Sequence, residues 1–156
     1  VAGNIIRRSG DDAIMVSNAT GGSAPLGITI VDNHILDCSF RSALGVGIYA
    51  GGVDGLIIRG NRIDGGTGTP TYGIRVVGCL NGFVDHNTVQ NITGSGRGIG
   101  LDDSTRIAVD QNSFSGIAGV NFHDQAGNTA CRATLNIADD TSVTLVSVAS
   151  TLNTWD

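Results

Sequence analysis

The chain has 156 residues, of which 24 are glycine and only 15% are charged, and its formal net charge is −5. A charged fraction this low excludes a helical bundle, whose exposed faces need many Glu, Lys and Arg residues. The negative charge excludes nucleic acid as a partner, because binding to phosphates needs a basic surface. No apolar run approaches the ~20 residues of a membrane-spanning helix. We therefore expect one domain, with at most a short appendage, and no membrane partner.

The first repeated element is an asparagine that is followed two residues later by an apolar residue. The interval between successive copies shortens along the chain from 29 to 25 residues. At a sharp bend between strands, asparagine tolerates the left-handed backbone conformation, and its amide can bond backbone groups that are otherwise open. Stacked amides can also bond one another. We predict a structural ladder of five such residues, Asn4, Asn33, Asn61, Asn87 and Asn112.

Short runs with alternating apolar residues fill the space between the asparagines. One kind ends just before the asparagine, as in Ile28-Thr29-Ile30-Val31, and another starts at a glycine in four of five copies, as in Gly73-Ile74-Arg75-Val76. Such alternation is typical of strands with one buried face. Three short strands per repeat, always in the same order, predict a coil in which each strand pairs in parallel with its copy one turn later. The predicted inward columns are Ile14, Ile48, Ile74, Ile99, Val120 and Val16, Ala50, Val76, Leu101, Phe122.

The residues between the inward positions are predicted to form two outward columns. Tyr49 offers a stacking surface, and Arg75 offers a fork of donors that suits sugar hydroxyls and carboxylates. These residues could form a sugar-binding strip, or they could be an ordinary solvated face. The two columns are Met15, Tyr49, Arg75, Gly100, Asn121 and Ser17, Gly51, Val77, Asp102, His123.

Residues 125–156 leave the repeat pattern. We predict that they form a C-terminal β cap or a subunit-contact segment, because a coil of this kind must cover its last open turn. The three cysteines, Cys38, Cys79 and Cys131, have no metal-ligand spacing. They are expected to be small buried thiols, and we expect neither a metal nor a cofactor.

The Gly-Asn-x-Ile and Gly-Ile-x-Val frames resemble those of the right-handed parallel β-helix, or pectin-lyase-like, superfamily over residues 1–124. The resemblance implies an all-β, single-stranded parallel β-helix of about five rungs, a rung being one turn of the coil. Members include pectate lyases, polygalacturonase-type glycosidases, alginate epimerases and phage tailspike depolymerases, most of which act on polysaccharides, although some helices are only structural stalks.

One local match goes further. Gly10-Asp11-Asp12-Ala13-Ile14 resembles the paired-aspartate motif of the polygalacturonase-type hydrolases. Where that family has Gly-His-Gly one rung later, this chain has Gly45-Val46-Gly47, and of its Arg-x-Lys motif only Arg75 is present. The family's Asn-Thr-Asp motif would lie before Val1.

Glycoside hydrolysis uses two carboxyl groups about 5 to 9.5 Å apart, one as acid and one as base or nucleophile. We predict Asp11 and Asp12 in these roles, with Arg75 for the substrate's charge; the alternative is that the two aspartates only solvate a turn. The predicted substrate-binding residues are Tyr49, Asn121, Asp102 and His123. Asp102 beside His123 would raise the imidazole pKa and form an acid–base pair, or the two would simply be a polar end of the coil.

The sequence thus predicts a polysaccharide-binding and polysaccharide-cleaving β-helix, either a glycoside hydrolase or a tailspike-type depolymerase. Five rungs span about 20 Å, which is short for a groove that holds several sugars, so we expect a segment of a longer enzyme. The first alternative is a non-catalytic stalk or carbohydrate-binding module of a fibrous or virion protein, and the second is a polysaccharide lyase or epimerase. We expect an extracellular or virion-surface location, and a homotrimer where the C-terminal segment drives self-association.

Overall fold

The computed structural model describes residues 1–18, 23–39, 41 and 45–138, together with the backbone of residues 145–147 and 154–155. Within these residues the chain forms eighteen short strands and no helix. The strands are β1 (Ile5–Arg7), β2 (Ile14–Ser17), β3 (Thr29–Val31), β4 (His34–Leu36), β5 (Val46–Gly51), β6 (Asp54–Arg59), β7 (Arg62–Asp64), β8 (Tyr72–Val77), β9 (Leu80–Asp85), β10 (Thr88–Ile92), β11 (Arg97–Asp102), β12 (Thr105–Asp110), β13 (Ser113–Ile117), β14 (Phe122–Asp124), β15 (Arg132–Thr134), β16 (Ile137–Ala138), β17 (Leu145–Ser147) and β18 (Thr154–Trp155).

Every third strand belongs to the same sheet, and each sheet has six strands. Sheet A contains β3, β6, β9, β12, β15 and β18; sheet B contains β1, β4, β7, β10, β13 and β16; sheet C contains β2, β5, β8, β11, β14 and β17. All strand pairs are parallel, so each strand lies beside its own copy from the previous turn. The chain makes five full turns from β2 to β16, and the predicted all-β parallel coil of about five rungs is confirmed.

Branched apolar side chains fill the interior in columns. In sheet C, Ile14, Ile48, Ile74 and Ile99 are register neighbours on successive rungs, and all four are buried. Matching columns in sheets A and B bury residues such as Ile58 and Ile63 completely. Each column removes apolar surface from water on every rung, which is the main stabilising contribution in a fold whose rungs contact only their neighbours.

The predicted alignment of the last rung is wrong by two residues. Phe122, not Val120, pairs with Ile99, and His123 pairs with Gly100. Asn121 therefore lies directly before β14, outside the outward column, where it is buried with 3% of its surface exposed. Alternation determines which residues share a face, but a shift of two residues leaves that alternation unchanged, so only the pairing itself decides the alignment.

The asparagine ladder has the predicted form and one member more than predicted. Asn61 donates from Nδ2 to Oδ1 of Asn87 at 3.0 Å, and Asn87 donates in the same way to Asn112 at 3.0 Å. Asn112 donates to Asn136, the sixth member, also at 3.0 Å. The left-handed conformation was assigned to the wrong residue: it is adopted by the residue before each asparagine, such as His86 (φ 56°) and Gln111 (φ 54°). The preceding residue makes the bend, which leaves the asparagine amide aligned with the axis of the coil.

A second ladder lies between sheets C and A. Its members are eight residues before a ladder asparagine: Val53, Cys79, Ser104 and Asn128. The Val53 N–H donates to Sγ of Cys79 at 3.5 Å, the Cys79 N–H to Oγ of Ser104 at 3.2 Å, and the Ser104 N–H to Oδ1 of Asn128 at 2.8 Å. All three cysteines are buried, as predicted.

The strands after residue 124 extend the three sheets. β15 pairs with β12, β16 with β13 and β17 with β14, all in parallel. The sheets are therefore not interrupted at the predicted domain boundary of residue 124. A role of residues 125–156 as a cap or subunit contact stays a prediction, and residues 139–144 and 148–153 lie outside the described part of the chain.

Candidate functional site

The outward face of sheet C carries a cluster of aromatic, cationic and acidic side chains. Register places Tyr49 beside Arg75, Arg75 beside Gly100, and Gly100 beside His123, so these four form one outward column. Tyr72 is the register partner of Arg97 on the next rung. We call Tyr49, Tyr72, Arg75, Arg97, Asp102 and His123 the sheet C cluster.

Tyr72 is the centre of this cluster. Its hydroxyl accepts a hydrogen bond from Nη1 of Arg97 at 3.0 Å and lies 3.4 Å from Nδ1 of His123. The guanidinium carbons of Arg75 and Arg97 each lie 5.2 Å from the centroid of the Tyr72 ring, which is within cation–π range. Tyr72 as a whole residue is only 3% exposed.

Two glycines make room for the two tyrosines. A Cβ on Gly100 would collide with the ring of Tyr72, and a Cβ on Gly51 would lie 2.9 Å from Cε1 of Tyr49. The glycines on the outward face thus let each aromatic ring lie along the sheet, where its flat face can be covered by guanidinium groups.

Arg75 connects the cluster to Asp102. Its Nη2 lies 3.3 Å from Oδ2 of Asp102, and the two side chains are 34% and 23% exposed. Nε of Arg75 is buried and has no hydrogen-bond partner among the described residues. One donor of this guanidinium is thus committed to a carboxylate, while another has no acceptor within the described structure.

His123 differs from its predicted state. Burial, and then the positive charge of Arg97, lower its pKa below the usual 6.5, although Asp124 and Asp102 act in the opposite direction. Asp102 thus raises the imidazole pKa, as predicted, but burial and the Arg97 charge outweigh it. The imidazole is neutral at neutral pH, and its described hydrogen-bond contact is with Tyr72.

Asp11 and Asp12 lie at the entry to β2, on the first rung of sheet C. Oδ1 of Asp12 accepts a hydrogen bond from the Val46 N–H at 2.7 Å, which links the first rung to the second. Burial raises the pKa of Asp12 above its usual 3.8; the Val46 hydrogen bond opposes this, and the charge of Asp11 adds to it. Arg75 lies two rungs farther along sheet C, about 10 Å away by strand spacing. The structure thus brings Tyr49, Arg75, Asp102 and His123 together and leaves the two aspartates at the edge of this face.

The sequence reasoning missed Tyr72 and Arg97. Both precede a glycine that was taken as the start of its strand, Gly73 and Gly98, whereas β8 and β11 begin one residue earlier. Their shared position directly before the repeated Gly-Ile pair was the available signal. Tyr72 and Arg97 each lie two residues before an inward isoleucine, so simple alternation would place them in the interior. They point outward instead because the intervening Gly73 and Gly98 face the interior, where a Cβ would overlap Val89 and Phe114.

The fold and this face define a parallel β-solenoid with a polar and aromatic strip along one sheet. The family described as "Right handed beta helix region" matches residues 1–141. The chain therefore belongs to the right-handed β-helix family, which is consistent with the pectin-lyase-like superfamily. Comparisons with curated proteins and with solved structures found no match.

Two further properties concern the described residues alone. They contain no helix that is long and apolar enough to cross a membrane. Nor do they contain a group of three or more His, Cys or Asp side chains that could hold a metal ion.

Proposed function

We propose that this β-helix binds an acidic polysaccharide along the outward face of sheet C. The observation that supports the proposal is the position of Tyr72 between the guanidinium groups of Arg75 and Arg97, each 5.2 Å from its ring centroid. Tyr49 lies on the neighbouring strand, beside Arg75. The strip therefore alternates aromatic and cationic groups in the direction in which the rungs stack.

This combination suits a chain of uronic acids. A guanidinium presents its donors in a planar fork that matches a carboxylate. The half-buried ring of Tyr49 offers a flat apolar surface to a sugar, while the buried ring of Tyr72 holds the arginines in position. The Arg75 side chain is 34% exposed, so a substrate carboxylate can reach the outer part of its guanidinium.

The binding test compares polygalacturonate with an uncharged dextran by isothermal titration calorimetry. Arg97→Gln removes the charge beside Tyr72 and should weaken binding to polygalacturonate about tenfold, the loss of one charge-assisted contact. Arg62→Gln is the matched control, because Arg62 is exposed on sheet B. Equal affinities of the two variants, or tighter binding to dextran, would contradict the proposal.

A second candidate function is cleavage of the same glycan by hydrolysis, with Asp12 as acid and Asp11 as base. The raised pKa of Asp12 favours it, because a general acid must keep its proton near the working pH. Asp12 would donate its proton to the glycosidic oxygen while Asp11 takes a proton from water. The water oxygen would then bond to the anomeric carbon as the bond to the leaving sugar breaks, and Arg75 would hold the substrate carboxylate.

The cleavage test measures new reducing ends after incubation with polygalacturonate. Asp12→Asn should abolish the signal, whereas Asp32→Asn, at an exposed left-handed position that asparagine also tolerates, should retain it. New absorbance from unsaturated uronates would instead indicate a lyase, for which His123, neutral at neutral pH and beside the Tyr72 hydroxyl, is the proposed base. If neither signal arises, the proposal reduces to a carbohydrate-binding module or stalk.

The proposed setting of this protein is the extracellular space or the surface of a virion, where polysaccharides are accessible. A homotrimer assembled through residues 125–156 is the proposed assembly. Light scattering of the full chain tests it: a trimeric mass is expected, and a monomeric mass at high concentration would exclude the subunit-contact role.

A further inference from the structure

A separate groove lies on the outward face of sheet A, near the C-terminal end of the coil. It has a volume of about 380 Å³, and its lining includes Asn81, Phe83, Arg106, Ala108 and Arg132. None of these residues belongs to the sheet C cluster, and the groove lies on a different sheet.

The groove exists because a small residue interrupts an outward column. Phe83, Ala108 and Arg132 are register partners on successive rungs. Ala108 is 7% exposed and forms the floor, whereas Phe83 is 49% exposed and forms one wall. Phe83 and Arg132 are two rungs apart, about 10 Å at the usual strand spacing, so the gap has the width of one sugar ring between an aromatic face and a guanidinium.

The positive charge of the groove comes mainly from Arg106, since Arg132 forms an ion pair with Asp110. Nε of Arg106 donates to Oδ1 of Asn81 at 2.6 Å, and Nδ2 of Asn81 donates in turn to Asp54 at 2.7 Å. Asn81 is neutral, so the guanidinium of Arg106 is held in place without direct neutralisation by a carboxylate among the described residues. Nη2 of Arg132 donates to Asp110 at 2.8 Å, which orients the side chain and uses only one of its nitrogens.

We infer that this sheet A groove is a second carbohydrate site, which takes a single carboxylate-bearing sugar residue. Phe83 stacks on the apolar face of the sugar ring, and Arg106 and Arg132 donate hydrogen bonds to its carboxylate. The exposed ring of Phe83 is available for stacking on a sugar, and a guanidinium pre-oriented by a neutral amide is suited to bind an incoming anion. The site is independent of binding at sheet C.

The experiment is a titration of the ¹⁵N-labelled full chain with trigalacturonate and, separately, with its methyl ester, followed through the backbone amides. Saturable shifts of the Asn81, Phe83 and Arg106 amides are expected with the acid and much weaker ones with the ester. Phe83→Ala and Arg106→Gln should each weaken this binding about tenfold. Leu80→Ala, which removes another exposed apolar side chain from the same strand, should leave it unchanged.

The same titration separates this inference from binding at sheet C. With Arg97→Gln, the shifts at the groove should persist while those around Tyr72 weaken. If the groove amides do not shift at millimolar trigalacturonate, the second site is overturned. If acid and ester cause equal shifts, its recognition of a carboxylate is overturned. If the groove shifts disappear in Arg97→Gln, they originate at sheet C. The wild-type titration decides the first two points even where a variant is unstable.

Discussion

Tyr72 lies over Gly100 on the neighbouring strand of sheet C, in the space that a side chain at position 100 would occupy. The ring of Tyr72 thus occupies a place on the sheet that glycine leaves without a side chain. The ring in turn is covered by Arg75 and Arg97, so the whole cluster depends on the absence of one Cβ.

Gly100→Ala should therefore displace Tyr72. The added methyl would overlap a ring that two arginines hold in place. Such overpacking lowers the free energy of unfolding by about 1–3 kcal/mol. Affinity for polygalacturonate should fall with it, since the guanidinium groups lose their support. Chemical denaturation and calorimetry measure the two effects. Gly10→Ala is the control, because its Cβ would be 3.9 Å from Cδ of Arg41, an ordinary contact; equal stability of the two variants would show that Tyr72 moves without cost.

Asn87→Ala should cause a much larger loss of stability than a change at the exposed end of the ladder. Asn87 is 0% exposed, and its amide bonds Asn61, Asn112 and the carbonyl of Ile58. Several buried groups would lose their partners, for an expected cost of about 3–5 kcal/mol. Urea unfolding measures it. Asn4→Ala, at the exposed end of the ladder, should cost under about 1 kcal/mol; a similar loss for Asn4→Ala and Asn87→Ala would contradict a cooperative buried ladder.

Ser104→Ala tests the second ladder. Oγ of Ser104, which is completely buried, accepts the Cys79 N–H at 3.2 Å and donates to the carbonyl of Asp102 at 2.9 Å. Removing it leaves the buried Cys79 N–H without its acceptor, whereas the Asp102 carbonyl keeps the hydrogen bond from the Gly78 N–H. A loss of about 1–3 kcal/mol is expected. Ser95→Ala, at an exposed turn, should stay within about 0.5 kcal/mol of wild type. If Ser104→Ala leaves the free energy of unfolding unchanged, a water molecule has replaced the hydroxyl.

The stability of the protein should decrease with falling pH through the titration of His123. Its pKa is lowered in the folded state, because of burial and of the Arg97 charge. The unfolded chain therefore binds the proton more readily, and the stabilisation present above the usual 6.5 is lost as the pH falls through the lower folded value.

Melting temperatures between about pH 7.5 and pH 5 measure this dependence. His123→Asn should flatten the curve, whereas His86→Asn, which alters an exposed turn residue, should keep the wild-type slope. If His123→Asn has the same slope as wild type, another group is responsible for the dependence.

The asparagine ladder could be predicted from the sequence to a greater extent than the candidate site on sheet C. Asn61 and Asn87 could be recognised as neighbours because their frames recur at a nearly constant interval, and the same interval extended once more would have found Asn136. Tyr72 and Arg97 carry no such frame. Their encounter depends on the inward orientation of Gly73 and Gly98, two glycines that look like ordinary strand starts.

What the sequence determined by itself is the coil: periodic asparagines and alternating apolar runs require that equal positions stack, since only stacking buries every run and satisfies every bend. What only the tertiary structure decided is the alignment of individual side chains across rungs. Asn121 is buried and His123 contacts Tyr72 because register is set by which strand positions pair, a choice that a pattern with a period of two leaves open. The sheet A groove arises in the same way, from the pairing of Phe83, Ala108 and Arg132, residues that no sequence motif connects.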